Sequence, residues 1–333
     1  LVYILYALMC LPAQGFNVVS SVGAMGEILT GGTIPVQSEF YYTVSLIVIA
    51  LATVMAFGGI KRIAAVSNRM VPLMAAIYIG TVVLLIFSNL DNVPYFFHAV
   101  FSGAFSPEAV FGGAFGTVLM QGVKRGLMSN EAGQGTITMP AAAAEANHPC
   151  EQGIISAIGV FLDTHVICTM TGFIVIMAQR WAAEPEAWKA AGTYPKFLLS
   201  IGSMTPEGFS QVVLFLVSVC FCLFAYTCVI GFITFSEISA NRISAAKPFI
   251  HFIRGLGIFV TAFGIFCDIA GYDLSNLWAF SDLGNIIIVY CNIPMLYLGF
   301  KYVRKATENY EQGEKRFDSS VIGMKVDYWD KQE

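Results

Sequence analysis

Apolar runs of membrane-spanning length recur along this chain, at about 1–25, 41–60, 70–90, 113–143, 153–178, 211–235, 250–268 and 277–300. A helix needs roughly 20 apolar residues to cross a hydrocarbon core. Eight such runs leave few folds open. In lipid every backbone N–H and C=O must find a partner within the protein, so only helices or closed barrels cross. Stretches of alternating polarity are absent from the sequence, which sets aside a barrel. The expected class is an all-α polytopic membrane protein with about eight transmembrane helices. Composition agrees: 56% of the 333 residues are hydrophobic and 12% are charged, against about 25% charged in soluble domains. A soluble enzyme does not fit, and no nucleic-acid partner is expected. The eight cysteines sit mostly inside apolar runs and read as small buried hydrophobes, not as a disulfide framework. The chain opens at Leu1 inside an apolar run with no charged leader. It therefore reads as a fragment lacking its N-terminal part, not as a chain with a signal peptide.

Lys and Arg placement gives an orientation. With the first end inside, the cytoplasmic connections hold Lys61, Arg62, Arg69, Arg242 and Lys247, with Arg254 just beyond. The expected external loops 26–40, 91–112 and 269–276 hold none, and only the long external loop 179–210 breaks the pattern, with Arg180, Lys189 and Lys196. A polar tail, 305–333, follows the last run on the cytoplasmic side and adds Lys305, Lys315, Arg316, Lys325 and Lys331. Its composition suits a mobile segment or one lying at the headgroups. The external loop 179–210 is long and carries Trp181, Trp188, Pro185, Pro195 and Pro206. It reads as short interfacial helices that could form a lid, or as a surface loop with aromatic anchors.

The run 113–143 contains "KRGLMSNEAGQGT", residues 124–136. Gly126, Gly133 and Gly135 each weaken a helix by about 1 kcal/mol relative to Ala, so the span is expected to unwind between Ser129 and Thr136. Main chain freed at that depth needs partners, and an ion or polar solute can supply them, with half-helix ends directing their dipoles at it. Glu131 is an ionisable group at membrane depth, which by itself points to function. It could pair with Arg125 or Lys124 to hold the break in shape, or contact a cation or substrate directly; an ordinary loop between two short helices is the third reading.

"GVKRGLMSNEAGQGT", followed by "PAAAAEANHPCEQG" and "GVFLDTHVICTMTG", resembles the signature of the sodium:alanine symporters, the alanine-or-glycine:cation symporter family. Weaker similarity in "FGGIKRIA", "FAYTCVIGF" and "CNIPMLYLG" extends the likeness over most of the chain. The resemblance implies a partial LeuT-like inverted-repeat fold, with the broken helix around 126–136 opening the second repeat. The transporter domain would then be 1–304, with 1–90 ending the first repeat and 113–300 forming the second; two further helices would precede Leu1. It implies sodium-coupled symport of small neutral amino acids across the plasma (inner) membrane by alternating access. Na⁺ (or H⁺) would be the coupling ion, with lipid around the protein and no organic cofactor.

The site residues are likewise carried over by resemblance. Substrate would contact Asn17 and Ser20 in the first span, Asn130, Gly133, Gly135 and Thr136 at the break, and Cys228, Gly231 and Phe232 in the sixth span. Thr227 would offer its hydroxyl to Na⁺. Ser20 stands where the family usually has Gln, Cys228 where it has a second hydroxyl, and Phe232 where it has Trp. Arg125, Glu131, Asp163 and Thr164 are candidates for a gating or structural network. His165 reads as a helix-packing residue, and His148-Pro149 as the start of the fifth span. Glu237 and Asp282 read as solvated interface charges or as gates closed through Arg62 or Arg242. An ion channel or uniporter is the alternative function. An intramembrane enzyme fits less well, because no nucleophile or metal-ligand spacing accompanies Asp163, His165 or Glu131.

Overall fold

The computed structural model describes residues 1–105, 113–272, 275–326 and 328–329. Parts of two expected external loops, 106–112 and 273–274, and Lys331 of the basic tail lie outside the described residues. Among the described residues the chain is helical throughout and has no strand. The helices are α1 (Val2–Thr30), α2 (Glu39–Phe57), α3 (Gly59–Ser88), α4 (Val93–Phe105), α5 (Gly113–Ser129), α6 (Thr138–Ala142) and α7 (Pro149–Ala178). After them come α8 (Arg180–Ala183), α9 (Pro185–Ala190), α10 (Thr193–Met204), α11 (Ser210–Asn241), α12 (Lys247–Ile269) and α13 (Ser275–Glu311). Seven described helices are long and apolar enough to cross a membrane. The remaining apolar run is the one that stops at Ser129 and resumes at Thr138. This is a multi-pass membrane protein.

α1 is the central helix, packed against α2, α11, α12 and α13. Its buried side chains include Tyr6, Leu11, Val18 and Val19, and they join Phe232 and Ile233 of α11 and Ile265 and Ile269 of α12 in the main core. Apolar burial gives little attraction between helices in lipid, so close approach of small residues holds the bundle. Gly264 of α12 lies directly on Pro12 of α1, and Gly15 of α1 on Thr261 and Ile265; a β-carbon at either place would overlap its neighbour. A second core joins α3, α7, α10 and α11 through Tyr78, Val82, Ile174, Met177, Ile201 and Val217. Leu46, Ile47, Leu84, Phe87, Ile154 and Ile155 project outward, exposed, as suits a face turned to acyl chains.

Three connections differ from the sequence expectation. The basic stretch 61–69, expected as a loop, forms the first turns of α3, because Gly59 (φ 78°) reverses the chain immediately after α2. Only a residue without a β-carbon takes that left-handed turn freely. The external segment holds α8, α9 and α10, and α10 is more than a surface decoration. Tyr194 and Ile201 are buried, with Tyr194 stacked on Phe221 of α11 at 4.2 Å. The tail, finally, is anchored. α13 runs on to Glu311, and the chain then folds back so that the Phe317 amide donates to the Asn147 carbonyl at 3.0 Å. The Phe317 ring is buried against His148 (4.9 Å) and Trp329 (5.6 Å).

His148 explains that anchor. It caps α7, its Nδ1 accepting from the Cys150 amide at 3.1 Å, with Pro149 in the first turn as the sequence suggests. Its Nε2 meets Asn309 Oδ1 of α13 at 3.3 Å. Elsewhere Glu237 takes a two-pronged bond from Arg254, Nε to Oε2 at 2.9 Å. Its partner is therefore Arg254 of the next helix, and not Arg62 or Arg242. Arg62 instead donates to the Val54 carbonyl at 3.1 Å across the α2–α3 turn.

Candidate functional site

Residues 130–137 are non-helical between α5 and α6, where the glycine cluster placed the unwinding. Local chemistry sets the turn. Asn130 Oδ1 accepts from the Ala132 amide at 3.1 Å, an Asx turn that competes with helical bonding. Glu131 has φ 58° and Gly135 φ 80°. Side chains at two of the positions would collide: a β-carbon on Gly133 would run into Leu127, and one on Gly135 into the amide of Asn292. The glycines are thus needed for space as much as for torsion.

Three helices brace the unwound chain. From α13, Asn292 Nδ2 donates to the carbonyls of Ala132 (3.1 Å) and Gly133 (2.9 Å). From α1, the Tyr3 hydroxyl donates to the Gln134 carbonyl at 3.1 Å. Within the break itself, Gln134 Nε2 donates to the Met128 carbonyl at 3.0 Å, closing the end of α5. The third support is a π-helical turn in α7, Leu162–Cys168. Such turns insert one extra residue and occur often at functional sites. Here the turn brings Asp163 and Thr164 to the break: Ser129 Oγ donates to Asp163 Oδ2 at 2.7 Å and Asn130 Nδ2 to Thr164 Oγ1 at 3.1 Å.

The charges divide in a way the sequence did not disclose. Lys124 and Arg125 form their ion pairs with Asp282 of α13, at 2.8 and 3.3 Å. Glu131 instead faces the Thr136 hydroxyl and lies within electrostatic reach of Asp163. Several buried oxygens of the break and of the helices packed on it lack a hydrogen bond, namely Gln134 Oε1 and Thr136 Oγ1 on the break, the Tyr6 hydroxyl of α1 and Asn285 Oδ1 of α13. Tyr6 faces Gln134, and Thr136 faces Glu131, without reaching bonding geometry in either case. Such groups seldom stay unpaired in a folded interior.

The structure brings Asn130, Glu131, Gly133, Gly135, Thr136, Asp163 and Thr164 into one cluster. On α11, Cys228 is exposed to solvent and yet within electrostatic reach of Glu131, Cys10 and Asp163, so that face of the helix looks onto the same polar region. A β-carbon at Gly231 would meet open space. Thr227 donates its hydroxyl to the Phe224 carbonyl of its own helix at 2.8 Å, which leaves the oxygen lone pairs available. Phe232 is buried edge-on to Tyr6, with ring centroids 6.1 Å apart, and backs the cluster instead of standing free. Asn17 and Ser20 sit apart from the break, in the wall of a cavity of about 1640 Å³. Arg125 and Met128 also line this cavity, so it reaches the end of α5; Tyr194 and Leu198 of α10 form its outer wall. His165 stands outside the cluster, stacked on Phe161 at 4.8 Å.

Sequence reasoning missed Asn292, Ser129, Gln134 and the role of Asp282. Buried Ser281, Asn285 and Asn292 form a polar stripe on α13 at 2, 2 and 9% exposure. The spacing of Ser281, Asp282, Asn285 and Asn292 in an apolar run was the available signal, since these residues recur on one helical face.

A family model described as the sodium:alanine symporter family matches residues 2–322. The chain is 31% identical over 304 residues to the sodium/proton-dependent alanine carrier protein of Bacillus sp. (strain PS3), covering 86% of this chain and 66% of that protein. It is 31% identical over 273 residues to the amino-acid carrier protein AlsT of Bacillus subtilis (strain 168), with 82% and 55% covered. To the sodium/alanine symporter AgcS of Methanococcus maripaludis it is 38% identical over 180 residues, 54% of this chain and 38% of that protein. In each case the chain spans less than two-thirds of the relative's own length.

Proposed function

This chain belongs to the sodium:alanine symporter family, and on that premise we propose that it works as a Na⁺-coupled secondary symporter of small neutral amino acids in the plasma (inner) membrane. The observation that carries the reading is the bracing of the break. Main chain is unwound at 130–137 and held open by Asn292, Tyr3 and the Asp163–Thr164 turn, with buried oxygens beside it that lack partners. An unwound segment at membrane depth is stable only where it is buried in protein or lines a cavity, and in transporters such breaks hold the substrate and its ion. The carbonyl end of α5 favours a cation, and the free amides of the break favour a carboxylate. Thr227, with Cys228 and Gly231 beside it, offers the opposite wall, and Asn17 and Ser20 line the route inward.

With the tail cytoplasmic, as Lys and Arg placement argues, the 1640 Å³ cavity opens outward beneath α10. The Glu237–Arg254 pair then lies on the cytoplasmic side. Alternation would move one helix group against the other to exchange these accesses. One Na⁺ moving inward through 100 mV yields about 2.3 kcal/mol, enough to concentrate a solute several tens-fold, since about 1.4 kcal/mol is a factor of ten. The test is uptake of labelled alanine and glycine into proteoliposomes. Na⁺ gradients should drive accumulation and choline should not; equal uptake in both at fixed pH would exclude Na⁺ coupling.

A further inference from the structure

Of the four histidines in the chain, only His148 is buried, at 0% exposure. Both of its ring nitrogens are committed. Nδ1 accepts from the Cys150 amide at 3.1 Å, so it carries no proton. The ring proton therefore sits on Nε2 and is donated to Asn309 Oδ1 at 3.3 Å. One acceptor and one donor make a neutral imidazole. The ring packs against Tyr310 (4.8 Å) and Phe317 (4.9 Å). Beside it the Phe317 amide is fastened to the Asn147 carbonyl at 3.0 Å. One neutral side chain thus closes the start of α7, the end of α13 and the fold-back 312–326 on one another.

A proton on Nδ1 undoes this arrangement. It turns the acceptor of the cap into a donor that faces the Cys150 amide. It also sets a positive charge at the N-terminal end of α7, where the helix dipole is itself positive. The surroundings offer no counter-charge: none of the ion pairs among the described residues includes His148. On α7, Glu151 is used by the Asn147 amide at 3.2 Å. On α13, Asn309 and Tyr310 are neutral, Glu308 is held by Arg304 at 2.9 Å, and Lys305 and Glu311 are exposed. On the fold-back, Phe317 stands between exposed Arg316 and Asp318, and Asp318 Oδ1 accepts from the Ser320 amide at 2.8 Å. α6 carries no charged residue, and Glu145 in the link to α7 is exposed. A buried charge without a partner is costly, so the protonated ring favours water over this cleft. The closed form binds fewer protons than the open one, and its stability is therefore present at high pH and lost as pH falls.

We propose that His148 is a proton-operated catch: the neutral ring holds 312–326 against the ends of α7 and α13, and a proton taken from the cytoplasm releases it. Release unfastens α7 from α13 at that end, and internal acid should then speed uptake. The cytoplasmic placement and the effect on uptake rest on the symport reading above; the release itself does not.

Hydrogen exchange of the purified protein in detergent reads the release directly, because the amides of Phe317 and Ser319 are both bonded in the closed form. After correction for intrinsic exchange, wild-type protection in 312–326 should fall by up to about tenfold per pH unit over the range, about pH 8 to 5, in which imidazoles take their proton. His148→Asn keeps a capping oxygen and cannot titrate there, so its protection should not change with pH. Asn309→Asp supplies the missing counter-charge at Nε2 and should move the release about one pH unit or more lower; it decides the matter if His148→Asn does not fold. Phe317→Ala should be unprotected throughout. A wild-type segment whose protection is flat over this range overturns the inference. So does a His148→Asn protein that keeps the wild-type pH dependence, or an Asn309→Asp protein that releases at the wild-type pH. In proteoliposomes, Na⁺-driven alanine uptake should rise when the lumen on the tail side is acidified, and Phe317→Ala should be fast at either lumenal pH. Release by acid without any Na⁺-driven uptake removes the symport reading and leaves the catch standing, whereas Na⁺-driven uptake with no acid release does the reverse.

Discussion

Replacing Asn292 by Asp isolates the bracing of the break, because the side chain keeps its size and loses its donor. Asn292 Nδ2 serves two carbonyls, Ala132 at 3.1 Å and Gly133 at 2.9 Å, and the residue is 9% exposed. Hydrogen bonds inside membrane bundles average about 0.6 kcal/mol and reach about 1.7, so losing two removes roughly 1–3 kcal/mol. The new carboxylate also sets its oxygens against those carbonyls, which pushes the effect toward the upper end. If the break is the binding element, the loss falls on binding too, because the freed carbonyls no longer hold their places. Na⁺-dependent alanine binding should weaken by about 10–100-fold, each factor of ten being about 1.4 kcal/mol. Scintillation proximity binding measures the affinity, and unfolding midpoints with and without Na⁺ measure stability. An Asn292→Asp protein with wild-type affinity and stability would refute the claim that α13 holds the break in its working shape.

Three further outcomes follow from the packing. Glu237→Gln should destabilise the protein by about 3–5 kcal/mol, because it strands a nearly buried Arg254 without its counter-charge; the double variant with Arg254→Met should recover most of that in the same unfolding assay. Gly264→Ala drives a β-carbon into Pro12 of α1 and should lower stability by about 1–3 kcal/mol through overpacking, whereas an unchanged unfolding midpoint would mean that the two helices do not touch there. With Cys168 and Cys291 replaced, thiol labelling of Cys228 should slow when Na⁺ and alanine are both present, and equal rates would remove this residue from the pocket.

The spans and the position of the break were legible because both are local properties. Twenty apolar residues mark a crossing whatever surrounds them, and the cluster of Gly133 and Gly135 weakens a helix wherever it lies. The start of α7 at Pro149 was readable for the same reason. Partnerships across the bundle were not. Lys124 meets Asp282 from 158 positions away, and nothing near either residue announces the other; proximity in sequence pointed to Glu131 instead. The π-helical turn at Leu162–Cys168 has no glycine or proline to mark it. It arises where Asp163 and Thr164 must reach Ser129 and Asn130, a demand set only once the helices are assembled. The anchored tail escaped notice because its charge suggested solvent, while two of its aromatics, Tyr310 and Phe317, pack against His148 in a cleft that the linear sequence does not display.

The fold-back at Phe317 ties together two helices that also meet, at a distance, around the break. α7 touches it through Asp163 and Thr164, and α13 through Asn292. At about 1.5 Å per residue, the knot at His148 lies roughly 20 Å along α7 from Asp163, and Asn309 some 25 Å along α13 from Asn292. Two long rods fastened at one end and sharing a load at the middle cannot slide past each other; they can only swing as a pair. Any stroke that parts them has to begin by peeling Phe317 away from His148, which makes this fold-back a brake on the motion rather than an appendage.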